Sequence, residues 1–200
     1  MKFFRKLTLV AAFSLCATMP ASAQQAEAEL APPRCDYGTP HPNAPEELAQ
    51  FDFLIGDYTI TSHAWSGGAW TPPRPGPRAR WNGYYVLGGM AIADEWYDPD
   101  PGHDADTPRG INMRMWDAQS GEWDMMWVHS SARQVQDLRA KMIDGKLTMW
   151  QEYPDRPNFR AYFERLGPDS WHRITLAKDE AGEWQPTFKL VATRIECPSD

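Results

Sequence analysis

Three polar residues in the middle of the chain, Asp94, Arg114 and His129, are the ones whose types could support chemistry. In a cavity that excludes water, Asp94 or His129 could act as a general base, and Arg114 could stabilise an oxyanion or an enolate. Such a set would suit an isomerase, lyase or hydrolase that acts on a hydrophobic small molecule. Asp94 and Arg114 could instead form an ion pair that anchors a ligand or only holds the fold together.

The common motifs of enzymes and metal sites are missing from the sequence. There is no nucleophile elbow, no His-Glu-x-x-His, no glycine-rich phosphate loop and no Cys/His spacing of a metal site. We therefore predict no metal and no cofactor. Barrel enzymes without a motif are not excluded in this way, so the sequence leaves open whether the protein is an enzyme.

The first 23 residues have the three parts of a cleavable secretory signal. Positive Lys2, Arg5 and Lys6 precede a short apolar run over residues 7–15, and a small-residue cleavage site ends at Ala23. The apolar run is too short for a membrane span, which needs ~20 apolar residues. We expect cleavage after Ala23 and a periplasmic or secreted protein, with a lipid anchor at Cys16 as the alternative.

The charge of the chain excludes one class of partner. The full chain has a net charge of −7, and loss of the three cations of the signal takes it to −10. A chain this acidic gains nothing near a phosphate backbone, so nucleic acid is excluded as a partner. The length that remains after cleavage indicates one domain with one core.

Cleavage at this site leaves two cysteines, Cys35 and Cys197, near the two ends of the remaining chain. In an oxidising compartment an isolated pair is expected to be bridged, so we predict a disulfide between them. Residues 24–44 are rich in Ala, Glu, Gln and Pro, which is typical of a flexible N-terminal arm. The single folded domain is then expected to occupy residues 45–200.

Short β-rich runs follow Gly56 at hairpin spacing, whereas Pro45 and two glutamates mark one short helix or turn before it. About ten strands are predicted, and no long helical period separates them. A consecutive antiparallel series of this length must close on itself or expose two edges, which favours an all-β, up-and-down barrel. The short helix or turn would close one end. A β-sandwich is the alternative.

Hairpin geometry predicts which residues of two strands share a face. If Gly88 and Gly89 form a two-residue turn, Leu87 opposes Met90 and Trp81 opposes Trp96. Side chains alternate along a strand, so the hairpin has two faces. The more apolar of these two faces is expected to point inward, which places Asp94 in the interior. The members of that face are Trp81, Gly83, Tyr85, Met90, Ile92, Asp94 and Trp96.

Residues 51–58, Phe-Asp-Phe-Leu-Ile-Gly-Asp-Tyr, resemble the opening of a bacterial lipocalin-like (calycin-type) barrel family of unknown function, distantly nitrobindin-like. Further matches are Leu87-Gly88-Gly89, Asp94-Glu95-Trp96, and the stretch from Trp116-Asp117 to Trp127-Val128. The resemblance spans roughly residues 51–194 and implies a lipocalin-like barrel with an internal cavity, without an established activity. One departure is Tyr58, where the family has Trp. It weakens the expected stacking on a late arginine, for which Arg194 is the candidate.

The resemblance also orients the next hairpin. By parity Asn112, Arg114, Trp116, Trp123, Met125, Trp127 and His129 share a face, and the family motif suggests that this face points inward. The residues alone leave this open, because Met113, Met115 and Met126 make the opposite face apolar too. The predicted ligand-binding residues are Trp81, Tyr85, Asp94, Trp96, Asn112, Arg114, Met125, Trp127 and His129.

The leading hypothesis is therefore a barrel that binds a small, largely hydrophobic or aromatic molecule in an internal cavity. An enzyme acting in the same cavity, with Asp94, Arg114 and His129 as its catalytic groups, is the alternative. Haem binding, as in nitrobindin barrels, is a further one and needs an inward histidine. His129 is possible by parity, whereas the facing of His172 is not determined. A structural, partner-binding role also stays open, and the sequence does not predict the oligomeric state.

Overall fold

The computed structural model of the chain describes residues 34–73, 78–98, 107–130 and 132–198. The predicted signal segment, its cleavage after Ala23 and the alternative anchor at Cys16 lie outside the described residues, as does the arm before residue 34.

Eleven strands form the described part of the chain, together with three short 3₁₀ turns at Glu46–Gln50, Asp52–Leu54 and Leu87–Gly89. No helix in these described ranges has the length and apolar character needed to cross a membrane. The strands are β1 (Gly56–Ser66), β2 (Ala69–Trp70), β3 (Ala79–Val86), β4 (Ala91–Tyr97), β5 (Gly110–Asp117), β6 (Glu122–His129), β7 (Gln134–Ile143), β8 (Lys146–Tyr153), β9 (Arg160–Gly167), β10 (Ser170–Lys178) and β11 (Trp184–Arg194).

The strands pair in sequence order, each antiparallel to the next, from β3 to β11. Strand β1 pairs with β3 on one side and with β11 on the other, so that the sheet closes. The short β2 folds back on the end of β1 and stands outside this closed circuit. The predicted up-and-down barrel is confirmed, with ten strands in the circuit and one extra strand, and the sandwich alternative is excluded.

The predicted register of the β3–β4 hairpin is confirmed, because Trp81 opposes Trp96. Its turn is longer than predicted: the ladder ends at Val86 and Ala91, and a 3₁₀ turn takes the place of the two-residue turn. Leu87 and both glycines after it have positive φ there. The loop has four residues instead of two, but the same residues of β3 and β4 still oppose each other, so the predicted inward face is unchanged along the strands. Met90, which was part of that predicted face, lies in the turn and is exposed.

The first two 3₁₀ turns close one end of the barrel, as predicted. Phe51 is fully buried, with its ring centroid 4.8 Å from that of Trp123 and 5.6 Å from that of Phe163. Close approach of the second turn requires Gly83, because a Cβ there would overlap the carbonyl oxygen of Leu54. This end of the interior is therefore filled by side chains.

Tyr58 and Arg194 seal the seam between the first strand and the last at the same end. The Arg194 guanidinium carbon lies 4.7 Å from the centre of the Tyr58 ring, and Nη2 donates a hydrogen bond of 2.5 Å to the Tyr58 hydroxyl. That hydroxyl in turn donates to the Phe53 carbonyl oxygen at 2.7 Å. The predicted partner of residue 58 is thus confirmed. A tyrosine here keeps the ring contact and adds a hydrogen bond that a tryptophan in its place would not make in this way.

The predicted disulfide between Cys35 and Cys197 is present, with 5.7 Å between the two Cα atoms. It ties the described part of the N-terminal arm to the end of the chain. The arm also lies against the barrel wall, where the backbone N–H of Arg34 donates to the Asp57 carboxylate at 2.7 Å. The Tyr37 hydroxyl donates to the same carboxylate at 3.2 Å.

Candidate functional site

A cavity of about 270 Å³ lies inside the barrel, toward the end opposite the first two 3₁₀ turns. Exposed Arg156 is among its lining residues, so the cavity reaches the surface at that end. Most of its wall is aromatic or aliphatic. The lining residues are Ser62, Trp81, Trp96, Asn112, Trp127, Gln136, Leu138, Met149, Gln151, Arg156, Phe159, Arg173, Phe188 and Leu190.

The positions of the three tryptophans in this wall are determined by the β3–β4 ladder and by a glycine on β5. Trp81 and Trp96 oppose each other across the β3–β4 ladder and meet edge to face, with ring centroids 6.1 Å apart. Trp127 lies across Gly110, where a Cβ would overlap its six-membered ring. A residue larger than glycine at position 110 would therefore displace Trp127 from this position.

The uncharged polar groups of the wall are only partly satisfied within the protein. Gln151 donates to the Pro154 carbonyl oxygen at 2.6 Å, and Gln136 donates to Gln134 Oε1 at 3.0 Å. Asn112 is buried, and its Oδ1 accepts no hydrogen bond in the described ranges. These amides leave a few polar contacts for a bound molecule on an otherwise apolar wall.

The described cavity wall has two charged side chains, Arg156 and Arg173, and Arg173 is the one further from the open end. It belongs to β10, where it opposes Phe163 on one neighbouring strand and Leu190 on the other. Its Nε is buried without a hydrogen-bond acceptor, and its guanidinium forms no ion pair with any described residue. Burial lowers the pKa of Arg173 to about 10, so the side chain remains a cation at neutral pH.

Asp94 and Arg114 form the predicted ion pair in the interior, and both side chains are completely buried. On the β4–β5 ladder Asp94 opposes Asn112 of the cavity wall and lies two residues deeper than Trp96, and Arg114 lies two residues deeper than Asn112. The Arg114 guanidinium carbon also lies 4.9 Å from the centre of the Phe51 ring and 6.0 Å from that of Trp81. The pair therefore sits between the filled end of the barrel and the cavity.

Two opposing effects act on the charge of Arg114. Burial first, and then the nearby positive charge of Arg173, act to lower the pKa of Arg114. Contact with the Asp94 carboxylate favours the charged guanidinium and opposes both effects.

The structure brings together only part of the predicted ligand-binding set. Trp81, Trp96, Asn112 and Trp127 line the cavity. The other predicted residues lie outside this lining, and their role in binding stays a prediction: Tyr85, Asp94, Arg114, Met125 and His129. The haem alternative needed a histidine in the cavity, and neither His129 nor His172 is part of the described lining.

Sequence reasoning missed Arg173, the cation of the deep wall, and it also missed Gln151 and Phe159. The parity rule applied to Trp171 would have placed Arg173 inward with it. The register of the β9–β10 ladder shifts between Ser170 and Trp171. Counting residues from the turn between these two strands therefore gives the wrong cross-strand partners for β10, and the parity rule alone could not decide the facing of Arg173. Phe159 precedes its strand, where no strand periodicity applies.

Comparison with known proteins adds little to this geometry. No family model and no curated sequence matches the chain. It is similar in structure to the S-type phycobiliprotein lyase CPES from Guillardia theta, at 12% identity and a TM-score of 0.47, over 76% of this chain and 93% of that one. It is also similar to Rv2717c from M. tuberculosis, at 9% identity and a TM-score of 0.40, over 77% and 100% of the two chains. The fold class rests on the strand pairing itself, and the nitrobindin-like relation stays a prediction.

The buried pair yields a testable expectation. Asp94→Asn or Arg114→Gln leaves the other charge buried without a partner, so each single change should lower the free energy of unfolding by ~3–5 kcal/mol. The double variant should lose much less than the sum of the two. Urea denaturation of all four proteins measures this. The matched control is the half-exposed pair of Lys141 and Glu122, 2.7 Å apart, whose removal should cost ~0–1 kcal/mol. Near-neutral single changes at Asp94 and Arg114 would contradict the assignment.

Proposed function

We propose that this protein binds a small, largely apolar or aromatic molecule in the cavity of the barrel. The observation that carries this proposal is the cavity of about 270 Å³ with tryptophan, phenylalanine and leucine side chains on its walls. Sites that hold small molecules are typically concave and apolar, with a few polar groups that fix orientation. The amides of Asn112, Gln136 and Gln151 are such groups.

Binding is better supported than catalysis by the chemistry of the wall. The lining drawn from the described residues contains no carboxylate, histidine, lysine or cysteine. A general base would come from those types, and the Ser62 hydroxyl of the wall would need such a base beside it to act as a nucleophile. Asp94, the interior carboxylate, is held by Arg114 outside the cavity. An aromatic wall without a proton-transfer group favours a protein that holds its ligand without changing it.

We also propose that the protein works outside the cytoplasm, in the periplasm or after secretion. The signal-like pattern of the first 23 residues supports this. The disulfide between Cys35 and Cys197 supports it independently, because structural disulfides persist in oxidising compartments.

Export has a direct chemical readout. The protein recovered from a periplasmic extract or culture medium should begin at Gln24, and thiol labelling of the denatured, unreduced chain should find no free cysteine. N-terminal sequencing and mass spectrometry measure both. A chain that retains Met1 would contradict export, and a chain that begins at a lipidated Cys16 would replace cleavage after Ala23 with a lipid anchor.

Filling the cavity should abolish binding. Ser62 lies on the cavity wall, and Ser62→Phe would place a ring in the space that a ligand needs. The neutral fluorophore 1-anilinonaphthalene should gain fluorescence with the native protein and lose most of its affinity, about tenfold or more, for this variant. A fluorescence titration gives both affinities.

The matched control is Thr61→Phe, one residue earlier on β1. Thr61 opposes Val191 on the outer side of the ladder and does not line the cavity, so that variant should bind the fluorophore as the native protein does. Equal binding by all three proteins would place the fluorophore elsewhere, and no binding by the native protein would contradict the proposed function.

A further inference from the structure

We propose that the ligand is an amphipathic monoanion, whose carboxylate or similar oxyanion docks on Arg173 while its apolar body lies against the aromatic wall. This inference rests on the proposed function and adds the charge and the polarity of the molecule that occupies the cavity.

The first support is the charge balance of the interior. Between the filled end of the barrel and the cavity mouth, the described inward positions hold one carboxylate, Asp94, and two guanidinium groups, Arg114 and Arg173. Asp94 is in contact with Arg114, so no described carboxylate compensates the positive charge of Arg173, which is partly buried with its Nε fully enclosed. A charge that is shielded from part of its water and has no partner is unfavourable, and one negative charge from a ligand would offset that cost.

The second support is the unfilled hydrogen-bonding capacity of Arg173. The side chain forms no hydrogen bond and no ion pair with a described residue, and its Nε is fully buried. A guanidinium offers donors in a planar fork, which matches the two oxygens of a carboxylate. The apolar neighbours Phe188 and Leu190 on the adjacent strand supply no acceptor from their side chains.

The mouth of the cavity carries a second cation. Arg156 is exposed there, and its guanidinium carbon lies 4.9 Å from the centre of the Phe159 ring. The chain as a whole has a net charge of −7, so an anion approaching at random would be repelled. Arg156 and Arg173 give the cavity the opposite sign. A cationic ligand would meet both of them and is disfavoured.

The rest of the wall determines the other part of the ligand. Trp96, Trp127, Phe159 and Phe188 offer ring faces and edges, and none of them carries charge. Because Arg156 is exposed to solvent, Arg173 is the cation at depth that needs a partner. A single negative charge supplies that partner, whereas the second charge of a dianion would lie among these rings. The class that fits is an aromatic or aliphatic monocarboxylate.

A pair of isosteres tests the charge requirement in the native protein. Naphthalene-2-carboxylate and naphthalene-2-carboxamide have nearly the same shape, and they differ in charge. At pH 7 the carboxylate should bind about tenfold or more tighter than the carboxamide, because a hydrogen bond to a charged group is stronger than one between neutral groups. Isothermal titration calorimetry gives both dissociation constants.

Two variants assign the preference to one residue. Arg173→Met removes the charge and keeps a side chain of similar length, so the variant should bind the two isosteres equally. Its binding of the carboxamide shows that the cavity is still formed. Arg139→Met, which removes a partly exposed arginine paired with Asp124 on the outer surface, should keep the native preference.

The outcomes separate the two proposals. Equal binding of both isosteres by the native protein, or a preference that persists in Arg173→Met, would overturn the inference and leave the proposed function standing. Failure of both isosteres and of 1-anilinonaphthalene to bind the native protein would overturn the proposed function, and the inference with it.

Discussion

The ion pair between Asp94 and Arg114 divides the interior of this barrel. Both charges are fully buried, and burial of two charges is tolerable only when they meet in good contact. Phe51 and Trp81 lie against the guanidinium and shield it from water. On one side of the pair, aromatic side chains from the 3₁₀ turns and the strand ends fill the space. On the other side the strands enclose a cavity. The pair thus lies beneath the candidate site, and neither residue lines the cavity.

That division has an electrostatic consequence for the cavity. Since Asp94 is engaged by Arg114, the second interior arginine has no carboxylate to contact in the described part of the chain. Proteins that keep an uncompensated charge at a binding site accept a loss of stability in return for affinity, a trade-off common at functional sites. Arg173 fits this pattern, because a hydrophobic residue at its position would suit the surrounding rings better than a cation does.

The fold was predictable to a large extent because its signals are local. Turn residues at hairpin spacing mark the strands, and a lone cysteine pair in an exported chain indicated the disulfide that the structure contains. The inward face of β3 and β4 followed from parity. The face of β5 and β6 did not, since Met113, Met115 and Met126 are as apolar as the residues opposite them. Burial of Asn112, Arg114 and Met125 identifies that face, and Met115 and Met126 are exposed.

The candidate site was less predictable, for reasons that lie in the strand ladder. Asp94 and Arg114 could be paired from the sequence, but their depth could not, because it depends on how far the 3₁₀ turns enter the barrel. Arg173 lies on a strand whose register shifts at both ends, after Ser170 and after Thr175, so counting from either turn misplaces it. Long-range strand pairing, rather than local pattern, brings Arg173 beside the tryptophans of β3, β4 and β6.

The claim that Arg173 is an uncompensated interior cation can be tested without any ligand. Urea denaturation of the ligand-free native protein and of Arg173→Met compares their free energies of unfolding. Because a partly buried charge without a partner is destabilising, the variant should be the more stable of the two, by about 1 kcal/mol. A loss of several kcal/mol in the variant, of the size expected when a paired buried charge loses its partner, would show that Arg173 is compensated within the folded chain and would contradict the account.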